Sequence, residues 1–426
     1  MNGNLIVKNA AQLVTCSGFA ARQGAAMNDL AIIENGAVKI ENGRITAVGP
    51  TPEVTAGIDP DAFTVIDASG KAVLPGFVDS HTHFVFGGYR AEEFSWRLRG
   101  DSYMDIMARG GGIFSTVEAT RKTGREELAA TGRARLDSML AFGVTTVEGK
   151  SGYGLDRETE IRQLEVMAEL DRGHPVDVVP TFLGAHAVPP EYQGRPDAFI
   201  DFIITEVLPE VSERGLAEFC DIFCEDKVFS VAQSRRLLTA AAERGLGITL
   251  HADEIVRIGG AELAAELGAV SADHLLQASN EGIAAMAAAG VVATLLPTTA
   301  FSLKEPYARG RHMIDAGCAV ALATDLNPGS CFSESIPLVV ALACLYMNLT
   351  PEEAICALTL NGAAAAGRAD RVGSIDCGKQ GDLVILEFPS YRFIPYHMGV
   401  NTVERVIKNG RLVYDRREKE DHAAIY

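Results

Sequence analysis

The chain has 426 residues, 47% hydrophobic and 22% charged, with a formal net charge of −18 at pH 7. That length and apolar content suit two domains, or one large barrel with an appendage, and exclude a disordered chain. The acidic balance argues against a nucleic-acid partner, and no apolar run approaches the roughly 20 residues that span a bilayer.

The opening "MNGNLIVKNAAQLVT" lacks a basic stretch followed by an apolar one, so no secretory signal is expected and a cytoplasmic location is. Short alternating segments follow: "NLIVKNA", "AVKIENGRITAVGP" and "TVIDASGKAVLPG". Asn-Gly and Ser-Gly break them, which is hairpin chemistry. The far end repeats the style in "GDLVILEF" and "VERVIKNGRLVYD". A small β-sandwich built from both chain ends, residues 1–74 and 372–426, is therefore expected. Two separate small β domains are the plainer alternative.

Between them, over residues 75–371, strand and helix patterns alternate. "VLPGFVDSHTH" opens the series, and seven apolar runs follow it: "GVTTVEG", "VDVVPTFLGAH", "FCDIFCE", "GITLHADE", "AVSADHL", "VVATLLP" and "CAVALATDLNP". Helical-period stretches such as "ETEIRQLEVMAELDRG" separate them, often closed by Gly. Eight strands, each followed by a helix or a long loop, predict an α/β protein with a (β/α)8 TIM-like barrel. A doubly wound sheet is the alternative, but no Gly-rich nucleotide fingerprint follows the first strand. The eight cysteines are scattered without a CxxC pair, which fits reduced core thiols.

In such a barrel the chemistry sits where strands end. Read there, the strands give His81 and His83, then Glu148, Lys150 and Tyr153, then His186, Glu225, His251 with Glu254, Asp273 with His274, Thr298 with Thr299, and Asp325 with Asn327. Five of the nine histidines fall in this set. Residues i and i+2 of a strand share a face, so His81 and His83 both point into the barrel mouth. His251 offers a third nitrogen, and Asp325, next to the first strand in a closed ring, offers a carboxylate. Three imidazoles and one carboxylate suit one zinc or iron ion and leave room for water, which such an ion makes nucleophilic near neutral pH. A lone HxH pair would be a weak signal; its weight comes from the company of His251 and Asp325.

Glu254, three residues after His251, is placed to move a proton; a helix-start Glu favoured by the dipole is the plainer reading. His274 is expected to hydrogen-bond the developing oxyanion, and Asp273 to face the other side of its strand in a structural role. No Lys stands in "FCDIFCE" to bridge two metals, so one ion is expected.

At this point "GFVDSHTH", the flanking β segments, the fifth- and sixth-strand histidines and the eighth-strand Asp resemble the amidohydrolase superfamily over nearly the whole chain. Within it, "HTHFVFGGYRAEEFSWRL", "GGGIFSTV", "EGKSGYGL", "TFLGAHAVPPEY", "HADEI" and "ATDLNPGS" resemble the branch that opens a cyclic imidazolone amide. That resemblance implies hydrolysis of 4-imidazolone-5-propanoate to N-formimidoyl-L-glutamate in histidine degradation. It also implies one divalent or trivalent metal per subunit, zinc or iron, on His81, His83, His251 and Asp325, and a homodimer. Substrate contacts carry over to Arg90, Tyr153, His186, Glu254, Asn327, Gly329 and Ser330. Ser80 and Ser330 depart from the Pro and Thr frequent in relatives. The substrate's propionate needs a cation, and the planar fork of Arg90 suits a carboxylate; a surface salt bridge with Glu92 or Glu93 is the plainer reading. A heterocycle deaminase of the same superfamily is the alternative function, and a metal-binding scaffold without catalysis is a third.

Overall fold

The computed structural model describes residues 4–101 and 109–417. The ends of the expected terminal segments, residues 1–3 and 418–426, lie outside the described residues.

The opening segments form β1 (Leu5–Val14), β2 (Ile32–Glu41), β3 (Arg44–Pro50), β4 (Thr64–Asp67) and β5 (Ala72–Pro75). The barrel strands follow: β6 (Phe77–Thr82), β7 (Val144–Lys150), β8 (Asp177–Ala185), β9 (Phe219–Cys224), β10 (Gly247–Ala252), β11 (Ser271–His274), β12 (Val292–Leu295) and β13 (Ala319–Leu322). The chain then returns to the first sheet with β14 (Leu383–Leu386), β15 (Val403–Lys408) and β16 (Arg411–Asp415).

The first sheet runs β16-β15-β14-β5-β1-β2-β3, with β4 also on β1. Both chain ends thus share one sheet, joined where β14 lies antiparallel to β5. Two Asn-Gly turns make its hairpins. Asn42 (φ 52°) and Gly43 (φ 78°) link β2 to β3, and Asn409 (φ 49°) and Gly410 (φ 69°) link β15 to β16. Two successive left-handed residues match the right-handed twist of the strands they join, and Asn and Gly are the residues that tolerate them. This sheet has its own core, in which Leu5, Leu13, Ile40, Val73, Leu383 and Ile407 are buried together.

The second sheet is wholly parallel, in the order β13-β12-β11-β10-β9-β8-β7-β6. Every connection between its neighbours carries a helix or a long loop, so the eight expected strands are all present, in chain order. Local signals set the helices. Asp156 accepts from Thr159 N at 2.7 Å to start helix Arg157–Gly173, and Ser230 with Gln233 makes a capping box at Val231–Ala242. The main core lies between the strands and these helices.

The ring closes between β6 and the segment just after β13. Asp325 N donates to His81 O (3.0 Å) and His83 N to Leu326 O (2.8 Å), while Thr82 bridges Leu326. Below them, Asp79 accepts from Thr324 N (2.9 Å) and Thr324 Oγ1 (2.6 Å). The residues that close the barrel are therefore the histidine pair and the eighth-strand Asp themselves.

Candidate metal centre and active site

Three buried imidazoles converge inside the barrel mouth. Ring centroids of His81 lie 5.3 Å from His83 and 4.6 Å from His251, and His83 lies 5.5 Å from His251. Their potential ligand atoms all lie within 4.8 Å of one another, as do those of His81, His274 and Asp325. Asp325 Oδ1 stands 3.6 Å from Nε2 of both His81 and His83. Its Oδ2 accepts from Thr299 Oγ1 at 2.6 Å, which fixes the carboxylate.

The far side of two imidazoles is held by carboxylates. His81 Nδ1 meets Asp273 Oδ2 at 2.6 Å, and His251 Nδ1 meets Asp221 Oδ1 at 2.9 Å. A carboxylate on Nδ1 places the ring proton there and leaves the Nε2 lone pair free. His81 Nε2 and His251 Nε2 are buried with no hydrogen-bond partner among the described residues. Two orphaned lone pairs, a third imidazole and a carboxylate form the donor set of a transition-metal ion, so the residues fit one. Burial, the largest effect, holds His81 and His83 well below the ordinary histidine range, in the neutral form that ligates. The Asp325 carboxyl is pushed up to about 6 by burial.

The sequence expectation for Asp273 is corrected here. Strand alternation ends early: His274 (φ 72°) and Leu275 (φ 61°) are both left-handed. Asp273 therefore faces His81, while His274 still reaches the mouth, 5.4 Å from the His81 ring. Asp221, in the middle of "FCDIFCE", had no expected role and holds His251. Inward register on the fourth strand was its signal, but only the fold shows which histidine it meets.

Glu254 lies on a loop pinned on both sides. Asp253 accepts from the backbone N–H of Ile258, Gly259, Gly260 and Ala261 (2.9–3.1 Å). Glu225 accepts from Ile255 N (2.8 Å) and Val256 N (3.1 Å). Glu254 Oε1 stands 3.5 Å from His274 Nδ1. Burial pushes the Glu254 carboxyl up to about 8, and the Asp325 charge adds to it. A cation at the cluster opposes both effects.

His186 stacks on His83, with centroids 5.1 Å apart and planes 15° from parallel. Its Nδ1 lies 3.1 Å from Gly152 O, and burial lowers it to about 3. Tyr153 sits 5.7 Å from the His83 ring and 5.4 Å from His186. Its loop is held by Glu160, which accepts from Gly152 N, Gly154 N and Leu155 N. Burial, the largest effect, raises the Tyr153 phenol, so it remains a donor.

Arg90, Asn327, Gly329 and Ser330 form a second group. Asn327 Nδ2 donates to Asp325 O (2.8 Å), and its Oδ1 accepts from Gly329 N and Ser330 N (2.8 Å each). The turn is thus tied to the Asp beside the histidines. Arg90 lies across Gly329 and donates through Nε (2.9 Å) and Nη2 (2.8 Å) to Glu93 Oε2. The ion pair weighed for Arg90 exists, but with a buried Glu93 and not at the surface. Arg90, Gly329 and Ser330 line a cavity of about 480 Å³ with Arg97 and the rings of Phe94 and Phe301. A larger cavity, about 740 Å³, opens near Asp177 at the start of β8, among Arg44, Lys408 and Arg411. It lies at the other end of the strands from the histidines.

The fold and this cluster define a barrel hydrolase built around a metal ion. The family model for the amidohydrolase family matches residues 72–413, and the chain belongs to that family. Imidazolonepropionase of Clostridium tetani is 62% identical over 97% of this chain and 99% of its own length. That of Bacteroides fragilis is 64% identical over the same shares. Within the amidohydrolases the chain therefore groups with the imidazolonepropionases. A zinc-bound adenosine deaminase from Xanthomonas campestris has the same fold: TM-score 0.72 and 21% identity, over 99% of this chain and 95% of that one. Family and donor set together mark a divalent-metal site.

Among the described residues, no helix is long and apolar enough to cross a membrane.

Proposed function

We propose that the protein hydrolyses the cyclic amide of 4-imidazolone-5-propanoate to N-formimidoyl-L-glutamate. The observation that carries this is identity above 60% along nearly the whole chain with imidazolonepropionases, with the His/Asp cluster at the strand ends. On this reading His81, His83, His251 and Asp325 hold one ion, zinc or iron. When bound, such an ion polarises the carbonyl and makes water nucleophilic near neutral pH.

The chain's own groups do the rest. Glu254 accepts the proton of the attacking water at a carboxylate oxygen. The oxygen adds to the ring carbonyl carbon, and His274 donates a hydrogen bond to the oxygen that gains charge. Glu254 then delivers its proton to the ring nitrogen as the C–N bond breaks, leaving a carboxylate and the open formimidoyl amine. Arg90 takes the propionate by the N–H donors that Glu93 leaves free, while Tyr153 and His186 orient the ring. Asn327 and Ser330 shape the turn that faces the substrate, and Gly329 leaves room for Arg90. The enzyme works as a cytoplasmic homodimer on this reading, which light scattering of the purified protein checks.

The test is absorbance loss on freshly generated imidazolonepropionate, with the product identified by mass. Ammonia release from a purine or pyrimidine, with no action on imidazolonepropionate, would replace this reading by the deaminase one. Metal analysis of the same sample decides between zinc and iron.

A further inference from the structure

A buried lysine lies in the same network as the histidines and has no role in the steps above. Glu148 and Lys150 share the inward face of β7, two residues apart. Lys150 Nζ donates to Asp221 Oδ2 at 2.8 Å and to Glu148 Oε1 at 2.9 Å, and it pairs with Asp273 Oδ2 at 3.5 Å. Its side chain is 1% exposed. One ammonium thus ties β7 to β9 and β11, across the inside of the barrel. Two of its three partners are the carboxylates that hold His251 and His81.

We propose that Lys150 is a positioning residue of the metal centre: it fixes Asp221 and Asp273 so that each turns the free Nε2 of its histidine toward the ion. The proposal rests on the reading that the cluster holds a metal. The geometry assigns each oxygen of Asp221 a separate task. Oδ2 takes Lys150 and Thr249 Oγ1 (3.0 Å), and Oδ1 takes His251. Asp273 differs: Ser271 Oγ donates to Oδ1 (2.8 Å), while His81 Nδ1 (2.6 Å) and Lys150 Nζ (3.5 Å) share Oδ2. The ammonium has three donors for these three carboxylates, and Glu148 keeps its other oxygen, Oε2, buried with no hydrogen-bond partner among the described residues.

Stability alone does not account for such a group. Taking an ammonium and three carboxylates out of water costs more than burying an apolar side chain of the same volume, and replacement by apolar residues is often neutral or stabilising. Orientation of a ligand's outer partner is a different benefit, and its loss characteristically weakens metal binding.

The test uses Lys150→Met in the full chain, stripped of metal and reloaded with Co2+. Chelator competition gives the affinity, and the visible absorption of the bound ion reports ligand geometry. The expected result is Co2+ affinity lower by roughly 10- to 100-fold and a changed absorption band, with native circular dichroism. A core salt bridge without this role would lower Tm and leave affinity and band as in wild type, and that result overturns the proposal. If Lys150→Met does not fold, Lys150→Met/Glu148→Gln removes one cation and one anion together and is read in the same way. Wild-type protein that takes up no Co2+ ends the metal reading and this one with it. Wild type that binds Co2+ beside a variant indistinguishable from it ends only the Lys150 proposal.

Discussion

Gly329→Ala separates binding from folding. A Cβ at Gly329 would stand 2.1 Å from Arg90 Nη1 and 2.7 Å from Arg90 Cζ. No real Cβ contact is that short, so the guanidinium must move. The backbone itself does not object, because Gly329 is not among the left-handed residues. The obstacle is the far end of a flexible side chain, so the fold adapts at small cost. Arg90 then leaves the position fixed by its two bonds to Glu93. If that position binds the propionate, the variant loses one charge-assisted hydrogen bond, about 1.5–3 kcal/mol. That is roughly 10- to 100-fold in affinity. Steady-state kinetics on imidazolonepropionate should show a higher KM, and a melting curve should stay within a few degrees of wild type. An unchanged KM would refute the placing of Arg90 on the carboxylate. A collapse of Tm would show that Gly329 serves packing instead.

Three further outcomes follow from the site. Asp325→Ala should lower bound metal and abolish turnover with the fold retained, measured by metal analysis and circular dichroism; full occupancy with normal rates would remove Asp325 from the ligand set. Glu254→Gln should keep its metal and lose about 10²-fold or more in turnover, and the acidic limb of kcat/KM, where activity falls as Glu254 gains its proton, should move or vanish. In metal-stripped protein the same carboxyl, raised by burial from 4.5 to about 8, favours folding in its protonated form. Its stabilising effect is whole below pH 4.5 and is lost as pH rises through about 8, so stripped Glu254→Gln should gain Tm over stripped wild type across that window. A Tm difference that stays flat from pH 4.5 to 8 would contradict the buried, neutral Glu254.

Much of this architecture could be read from the chain because it rests on local rules. Apolar runs bounded by helix-stopping glycines became the eight parallel strands. Alternation put His81 and His83 on one face, and the ring order brought Asp325 beside them. The same rule failed at Asp273, because it assumes extended backbone and the strand turns left-handed one residue later. Asp221 and Lys150 could not be assigned by spacing. Each acts on a partner from another strand, and which partner it meets depends on side-chain packing inside the barrel. Arg90 lies between these cases. Both its expected carboxylate ligand and its pairing with Glu93 use the same guanidinium fork, and the sequence holds no information on how its donors are divided.

The closing contact of the barrel has a consequence for how the protein holds together. His81 and His83 stand on one lip of the seam and Asp325 on the other, so an ion bound by all three stitches residues 242 and 244 positions apart along the chain. Among the described residues, the backbone bonds Asp325 N to His81 O and His83 N to Leu326 O, with the Thr324 bonds to Asp79, also cross there. Integrity of the ring thus becomes a function of free metal concentration: an ion at a thousand times its Kd adds about 4 kcal/mol to the folded state. Chelation should loosen this seam before the other strand pairs, seen as faster amide exchange at His83 and Asp325 than at the β9–β10 ladder, and equal protection at both would show that the two lips stay joined without the ion.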